Sequence, residues 1–281
     1  MKTQKLVNIH AHIHVNTDVP ERIREWSSYG CVKWCALADC AFWQPPHSTY
    51  LGNDGILKWM REYPDIIVGM GSVELGRQIG SPDDISRLRD QGFSGLKLEM
   101  PSHPYDHERY MPLYERAQEL EMPILFHTGC VAALESADVI ERLTSDHMRP
   151  YCLDRVARAF PRLRIIGAHL GLPHANEALR ILEFPNVYFD ICGGGGQKKH
   201  ISLLKKVLAP FPGANMADRN ENLALQYFEK LVFGTDNPSI SVWLPAAEAL
   251  MDYLEIPEMT RELFYWRNAF DIFGWPSGVS V

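Results

Sequence analysis

The sequence predicts a single (β/α)8 barrel, and three observations carry that prediction. Eight short apolar segments rich in β-branched residues alternate with amphipathic stretches, the pattern of parallel strands joined by helices. The length of 281 residues suits one barrel, which takes about 250 residues plus loops. No composition shift, Pro/Gly/Ser-rich linker or internal repeat divides the chain, so residues 1–281 read as one domain. An open doubly wound sheet is the alternative architecture. It lacks support, because no GxGxxG follows the first strand and the run Gly193–Gly196 is not continued as a phosphate-binding loop.

Taken in order, the strands are predicted over residues 6–13, 31–38, 66–73, 93–99, 123–127, 163–169, 187–192 and 231–235. Helical patterns include 21–29, 54–63, 83–91, 109–120, 154–160, 175–182 and 201–208. The punctuation agrees with this division. Ser81-Pro82-Asp83-Asp84 reads as a helix start with proline in the first turn, and Gly92 closes the same helix. Pro64, Pro123, Pro161 and Pro185 each precede a strand at a point where the preceding helix cannot continue.

Composition narrows the function classes. Apolar residues make up 46% and charged residues 22%, which argues against wholesale disorder. Six cysteines without a CxxC pair provide neither a disulfide scaffold nor a zinc ribbon. No apolar run approaches the ~18 residues of a membrane span. Asn8 and three histidines interrupt what would be the apolar core of a signal peptide, so a cytoplasmic protein with reduced thiols is expected. A net charge of −7 with no Lys/Arg block longer than a pair speaks against nucleic acid as partner.

Barrel active sites gather at the C-terminal ends of strands, and five predicted strand ends carry unexpected polar residues. They are His10-Ala11-His12-Ile13-His14, Lys97-Leu98-Glu99, Phe126-His127, Ala168-His169 and Thr235-Asp236. Alternation along a strand puts His10 and His12 on one face, with Ile9, Ala11 and Ile13 on the other. It likewise sends Lys97 and Glu99 inward when Leu96 and Leu98 face the helices. Neutral imidazoles and a carboxylate converging in a barrel mouth make a ligand set for zinc or a similar divalent ion.

The order of these motifs resembles the amidohydrolase superfamily. The phrases Pro123-Ile-Leu-Phe-His-Thr-Gly129, Ile166-Gly-Ala-His-Leu-Gly171 and Phe233-Gly-Thr-Asp-Asn-Pro238 resemble its amidohydrolase-related branch of metal-dependent hydrolases, lactonases and non-oxidative decarboxylases. The resemblance runs from Leu6 to about Phe273. It implies one divalent ion, Zn²⁺ first and Mn²⁺ second, held by His10, His12, His127 and Asp236. Asp236 is then the general base and acid, and His169 either a further ligand or the group that polarises the scissile carbonyl. The implied activity is hydrolysis of a small ester, lactone or amide, with decarboxylation of a small carboxylate as the alternative.

Departures from the family pattern leave questions to the structure. Asn8 stands where many members have an aspartate, two residues before the first ligand histidine. His14 opens a second register in which His12 and His14 bind. Lys97 sits where two-metal members carry a carbamylated lysine, but Glu99 offers it an ordinary salt bridge. Asp236 has a bland reading as a helix cap before Pro238. Lys97, Glu99, His14, Arg77 and His103 are the candidates for contact with a carboxylate-bearing substrate. A barrel that binds without catalysis is disfavoured by the complete ligand set, and self-association is left open.

Overall fold

A computed structural model describes residues 5–46, 48–76, 78–131, 144–193, 198–209, 213–215, 218, 221–237 and 239–276, without the side chains of 198 and 199. Its eight strands form one parallel sheet in chain order, β1 to β8. They are β1 Leu6–His12, β2 Cys31–Leu37, β3 Ile67–Ser72, β4 Gly95–Leu98, β5 Ile124–Phe126, β6 Ile165–Gly167, β7 Val187–Asp190 and β8 Leu231–Val232. The helices between them are α1 Val19–Ser28, α2 Asn53–Glu62, α3 Pro82–Asp90, α4 Met111–Glu119, α5 Leu153–Ala159, α6 Ala175–Ile181 and α7 Lys198–Leu208. The chain then adds α8 Leu223–Phe228, α9 Ile240–Tyr253, α10 Glu258–Glu262 and α11 Asn268–Phe273.

Local chemistry sets the helix ends. Asp18 caps α1 by accepting the backbone N–H of Glu21 at 2.9 Å. At α3 the Asp84 carboxylate takes both the Ser81 N–H, at 2.6 Å, and the Ser81 hydroxyl, at 2.9 Å, with Pro82 in the first turn as the sequence predicts. Gly92 follows with φ +97°, a conformation that closes the helix and favours glycine.

The strands are shorter than predicted at their C-terminal ends, and this is where the site residues lie. β8 pairs regularly with β7 over two residues only. The chain beyond it nevertheless closes the barrel against β1: Ile9 N–H donates to the Phe233 carbonyl at 3.0 Å, and the N–H groups of Thr235 and Asp236 donate to the His10 carbonyl at 3.0 and 2.7 Å. Asn8 locks this seam. Its amide donates to the Thr235 hydroxyl at 2.9 Å and its oxygen accepts the Thr235 N–H at 3.2 Å. Gly234 is required at the seam, since a Cβ there would lie 2.8 Å from the His10 Cβ.

Two register shifts interrupt the pairing of β1 with β2, one between Leu6 and Val7 and one between Asn8 and Ala11, and the second breaks the simple alternation of β1. β1 meets β2 at Asn8↔Trp34 and next at Ala11↔Ala36, so three steps of β1 are matched to two of β2. The extra residue is a β-bulge across Ile9 and His10. Before it, Val7 and Ile9 pack in the inner cluster with Cys35, Leu37, Val68 and Leu125. After it, Ala11 and Ile13 join the outer cluster beneath the helices. Ile9 therefore does not share a face with Ala11 and Ile13, contrary to the alternation expected. The bulge lets β1 keep an apolar plug low in the barrel and still turn histidines inward at its mouth.

Leu96 and Leu98 pack outward among the helices, as expected, which leaves Lys97 inside. At the opposite end α11 plugs the barrel, with Ala269, Phe270 and Ile272 against Val7 and Tyr188. No helix among the described residues is long and apolar enough to cross a membrane.

Candidate metal centre

His10 and His12 turn their Nε2 atoms toward one carboxylate oxygen. Asp236 Oδ1 lies 3.2 Å from His12 Nε2 and 3.6 Å from His10 Nε2. Ligand atoms of His10, His12 and Asp236 all fall within 4.8 Å of one another. His169 and His127 complete the ring of imidazoles: the centroid of His169 is 5.0 Å from that of His10 and 5.1 Å from that of His127. Asp236 and His169 have φ of +59° and +61°. Non-glycine residues adopt that region at a cost, which is found where a site needs a particular side-chain direction.

Three of these imidazoles are held from behind. His10 Nδ1 lies 2.8 Å from Asp190 Oδ2, and His12 Nδ1 lies 2.9 Å from Asp39 Oδ2. His169 Nδ1 is 3.0 Å from the Cys192 carbonyl oxygen. A carbonyl or carboxylate oxygen accepts, so in all three rings Nδ1 is assigned the hydrogen, and Nε2 is left to face the cup. This is how metal-ligating histidines are oriented. Asp190 also binds the backbone N–H of His169, at 2.8 Å, and that of Cys192, at 3.1 Å.

The electrostatics of the cup follow from burial. Burial pushes His10 down to about 4 despite the opposing charge of Asp190. Burial and the neighbouring His169 and Lys97 hold His127 well below the ordinary imidazole value. His12 differs: burial lowers it, but the charge of Asp39 and the hydrogen bond to Asp236 raise it to about 10. Against its own burial, Asp236 is held well below the usual carboxylate range by the His12 hydrogen bond and the adjacent imidazoles. His10 Nε2 and His127 Nε2 are buried with no hydrogen-bond partner. Two buried ring nitrogens without partners beside an ionised carboxylate fit a bound cation, which would satisfy all of them.

A cavity of about 180 Å³ opens above these groups. His12, His127, His169 and Asp236 line it on one side, Lys97 and Glu99 on another, and Trp43 and Tyr50 form an aromatic wall. Glu99 accepts the Cys40 N–H at 3.1 Å, and burial together with the charge of Asp39 pushes it up to about 7. The salt bridge expected between Lys97 and Glu99 is not formed. His14 is turned away from the cup: its Nδ1 contacts the Thr49 hydroxyl at 2.8 Å, its Nε2 contacts Asn237 Oδ1 at 3.0 Å, and its ring rests on Tyr50. The register that paired His12 with His14 is therefore not the one adopted. His103 lies outside the cavity, its ring tilted by 41° against that of His107 with centroids 4.2 Å apart. Arg77 falls outside the described residues.

Sequence reading missed Asp39 and Asp190. Both are 2% exposed or less, and the one signal was a carboxylate standing in an otherwise apolar strand segment (Ala36-Leu-Ala-Asp39 and Val187-Tyr-Phe-Asp190). Gly193, considered only as part of a glycine run, has φ +97° and packs so closely on His169 that a Cβ would lie 2.6 Å from its Nδ1.

A parallel eight-stranded barrel with a cup of histidines and a carboxylate at its C-terminal mouth defines a class of metal-assisted enzymes. The chain belongs to the amidohydrolase family, whose model (Amidohydro_2) matches residues 46–275. That match begins after β1, so the HxH pair stands outside it. Enzymes of this family are typically dependent on a divalent metal. No curated relative matches the chain in sequence. Solved structures share its fold. A putative 2-pyrone-4,6-dicarboxylic acid hydrolase from Pseudomonas putida is 15% identical with a TM-score of 0.64, over 99% of each chain. The 2,6-dihydroxybenzoate decarboxylase from Rhizobium is 14% identical with a TM-score of 0.61, over 96% of this chain and 99% of its own. A 5-carboxyvanillate decarboxylase from Novosphingobium aromaticivorans, complexed with manganese and a nitrobenzoic acid ligand, is 18% identical with a TM-score of 0.58, over 90% and 79%.

Proposed function

We propose that the protein is a metal-dependent hydrolase of a small lactone, ester or amide, with one divalent ion held by His10, His12, His127 and Asp236. The observation that carries this reading is the convergence of His10 and His12 Nε2 on Asp236 Oδ1, at 3.6 and 3.2 Å, with His10 and His127 Nε2 buried and unpartnered. The imidazole and carboxylate donors suit Zn²⁺, and Mn²⁺ is the second candidate. Such an ion, when bound, would supply Lewis acidity and make a water easier to deprotonate near neutral pH.

The side chains perform the remaining tasks. Asp236, kept ionised by its neighbours, accepts the proton of the attacking water and returns it to the leaving group. His169 stands beside the same cup. As an imidazolium it donates Nε2–H to the carbonyl oxygen, where charge develops in the transition state. As a neutral ring it offers the same atom as a further ligand. A His169→Gln variant separates the two roles: retained metal with lost turnover assigns the carbonyl, and lost metal assigns ligation.

Non-oxidative decarboxylation is the second reading, supported by the decarboxylases among the proteins that share this fold. Incubating the metal-loaded protein with lactone and aromatic carboxylate panels, with acid release and CO₂ followed separately, tests the choice. CO₂ release without hydrolysis sinks the first reading. Equal metal content in wild type and in the His10→Ala/His12→Ala protein sinks both.

A further inference from the structure

The end of the barrel opposite the metal cup carries two cavities that take no part in that mechanism. One, of about 1070 Å³, is a groove where β2, β3 and β4 begin. Its lining is mostly apolar, with Val32 and Ile67 from the strand entries, Leu57 and Met60 from α2, and Phe270 and Trp275 from the C-terminal segment. The other, of about 490 Å³, is polar and holds Arg89, Arg162 and Arg164 together with Glu121 and Asp271. Ser94 and Trp275 line both, so the two adjoin.

Size and lining suit a ligand. Small-molecule sites span about 300–1,000 Å³ and are mainly apolar with a few charged groups. The groove stands at the upper end of that range, whereas the cavity above the cup holds about 180 Å³. An apolar surface left open to solvent on this scale marks a place of binding. Barrel chemistry belongs to the other face, so this is a binding site and not a second catalytic centre.

Charge decides the class of ligand. The chain carries −7 overall, yet the two linings hold six cations against three carboxylates. Half of those cations are engaged within the protein: Lys33 Nζ donates to the Asp65 carbonyl at 2.5 Å, Lys5 rests over the rings of Trp266 and Phe270, and Arg164 lies 3.6 Å from Asp271. Arg89 and Arg162 pair with no carboxylate among the described residues, and both line the polar cavity. A guanidinium fork matches the two oxygens of a carboxylate. A second copy of the chain suits the face poorly, because a two-fold contact would press a positive surface against itself.

We propose that this end of the barrel binds a free, single-chain acyl anion, its hydrocarbon tail in the groove beside Trp275 and its carboxylate on Arg89 and Arg162. The site is separate from the metal cup and does not rest on the function proposed above.

The test is calorimetry of the metal-loaded protein with butanoate, hexanoate, octanoate and octanol, with tryptophan fluorescence recorded in parallel to locate the ligand. Octanoate is expected to bind at least tenfold more tightly than octanol. Affinity should rise about three- to fourfold per methylene from butanoate to octanoate. Trp275→Phe should lose the fluorescence change. Arg89→Gln/Arg162→Gln, both at the surface, should bring octanoate down to the level of octanol and keep the dependence on chain length. His10→Ala/His12→Ala should bind octanoate as wild type does. The proposal is overturned by absence of octanoate binding, by a preference that survives the double arginine exchange, by a fluorescence change that persists in Trp275→Phe, or by binding lost with His10 and His12. Binding that appears only when the chain is ended at Pro276 gives the groove to residues 277–281 and overturns it as well. So does sedimentation with phosphatidylserine vesicles without octanoate binding, which makes the face a membrane contact.

Discussion

Asp190 and His10, 180 positions apart in the sequence, meet at the floor of the cup with Oδ2 2.8 Å from Nδ1. The same carboxylate fixes the backbone of His169 through its other oxygen. One buried anion thus orients two of the imidazoles around the candidate metal centre. Against the effect of its burial, Asp190 is held well below the ordinary carboxylate value by its charge interaction and hydrogen bond with His10, by the nearby His169 and by the Cys192 thiol.

Asp190→Asn keeps the shape but removes the charge, and its amide can present an N–H to a nitrogen that already carries one. Metal affinity is expected to fall about 10- to 100-fold, the range for loss of a carboxylate behind a ligating histidine. A competition titration against a chromogenic chelator measures it. Affinity equal to wild type would falsify the role given to Asp190.

Metal uptake is expected to release a proton. His12 without metal is raised to about 10 by Asp39 and Asp236 after burial is overcome, so at neutral pH it is charged, whereas a ligand imidazole must be neutral. Apparent affinity therefore rises with pH, by up to about tenfold per unit below that value. Calorimetry in two buffers of different ionisation enthalpy counts the protons. An enthalpy that does not depend on buffer contradicts this account.

Glu99 gives a pH dependence of the opposite kind to a salt-bridged acid. Its value in the fold, about 7, lies above the 4.5 of an unperturbed glutamate, so between those values the folded chain binds the extra proton. Stability is full below the unfolded value and is lost as pH rises through the folded one. Glu99→Gln retains an oxygen for the Cys40 N–H and removes the titration. Without metal it should gain on the order of 1–3 kcal/mol over wild type above pH 8 and little at pH 5. Parallel melting curves with pH would show the assignment to be wrong.

Gly193→Ala should disturb His169 without touching any other imidazole of the cup. The new Cβ meets Nδ1 at 2.6 Å, and the φ of +97° strains any L side chain. Activity is expected to fall by more than tenfold, with a destabilisation of about 1–2 kcal/mol. Melting and turnover measured together check it, and unaltered turnover counts against a functional His169.

The sequence by itself determined the barrel and the parts of the cup that each strand end carries. Apolar runs of strand length separated by helical periodicity permit few other folds, and a histidine or aspartate ending such a run is conspicuous in one dimension. His10, His12, His127, His169 and Asp236 were all legible for that reason. What alternation could not supply was the bulge across Ile9 and His10, because a change of face depends on how β2 pairs with β1. Asp39 and Asp190 were likewise hidden, since a carboxylate gains its meaning only from the imidazole it meets across the barrel. Lys97 and Glu99, two residues apart on one strand, left an ion pair, a carbamate and a substrate contact open; in the folded chain Glu99 accepts the Cys40 N–H and Lys97 lines the cavity without that ion pair. Tertiary structure decided these points because hydrogen bonds and ion pairs are fixed by distance in space, and only closure of the barrel sets those distances.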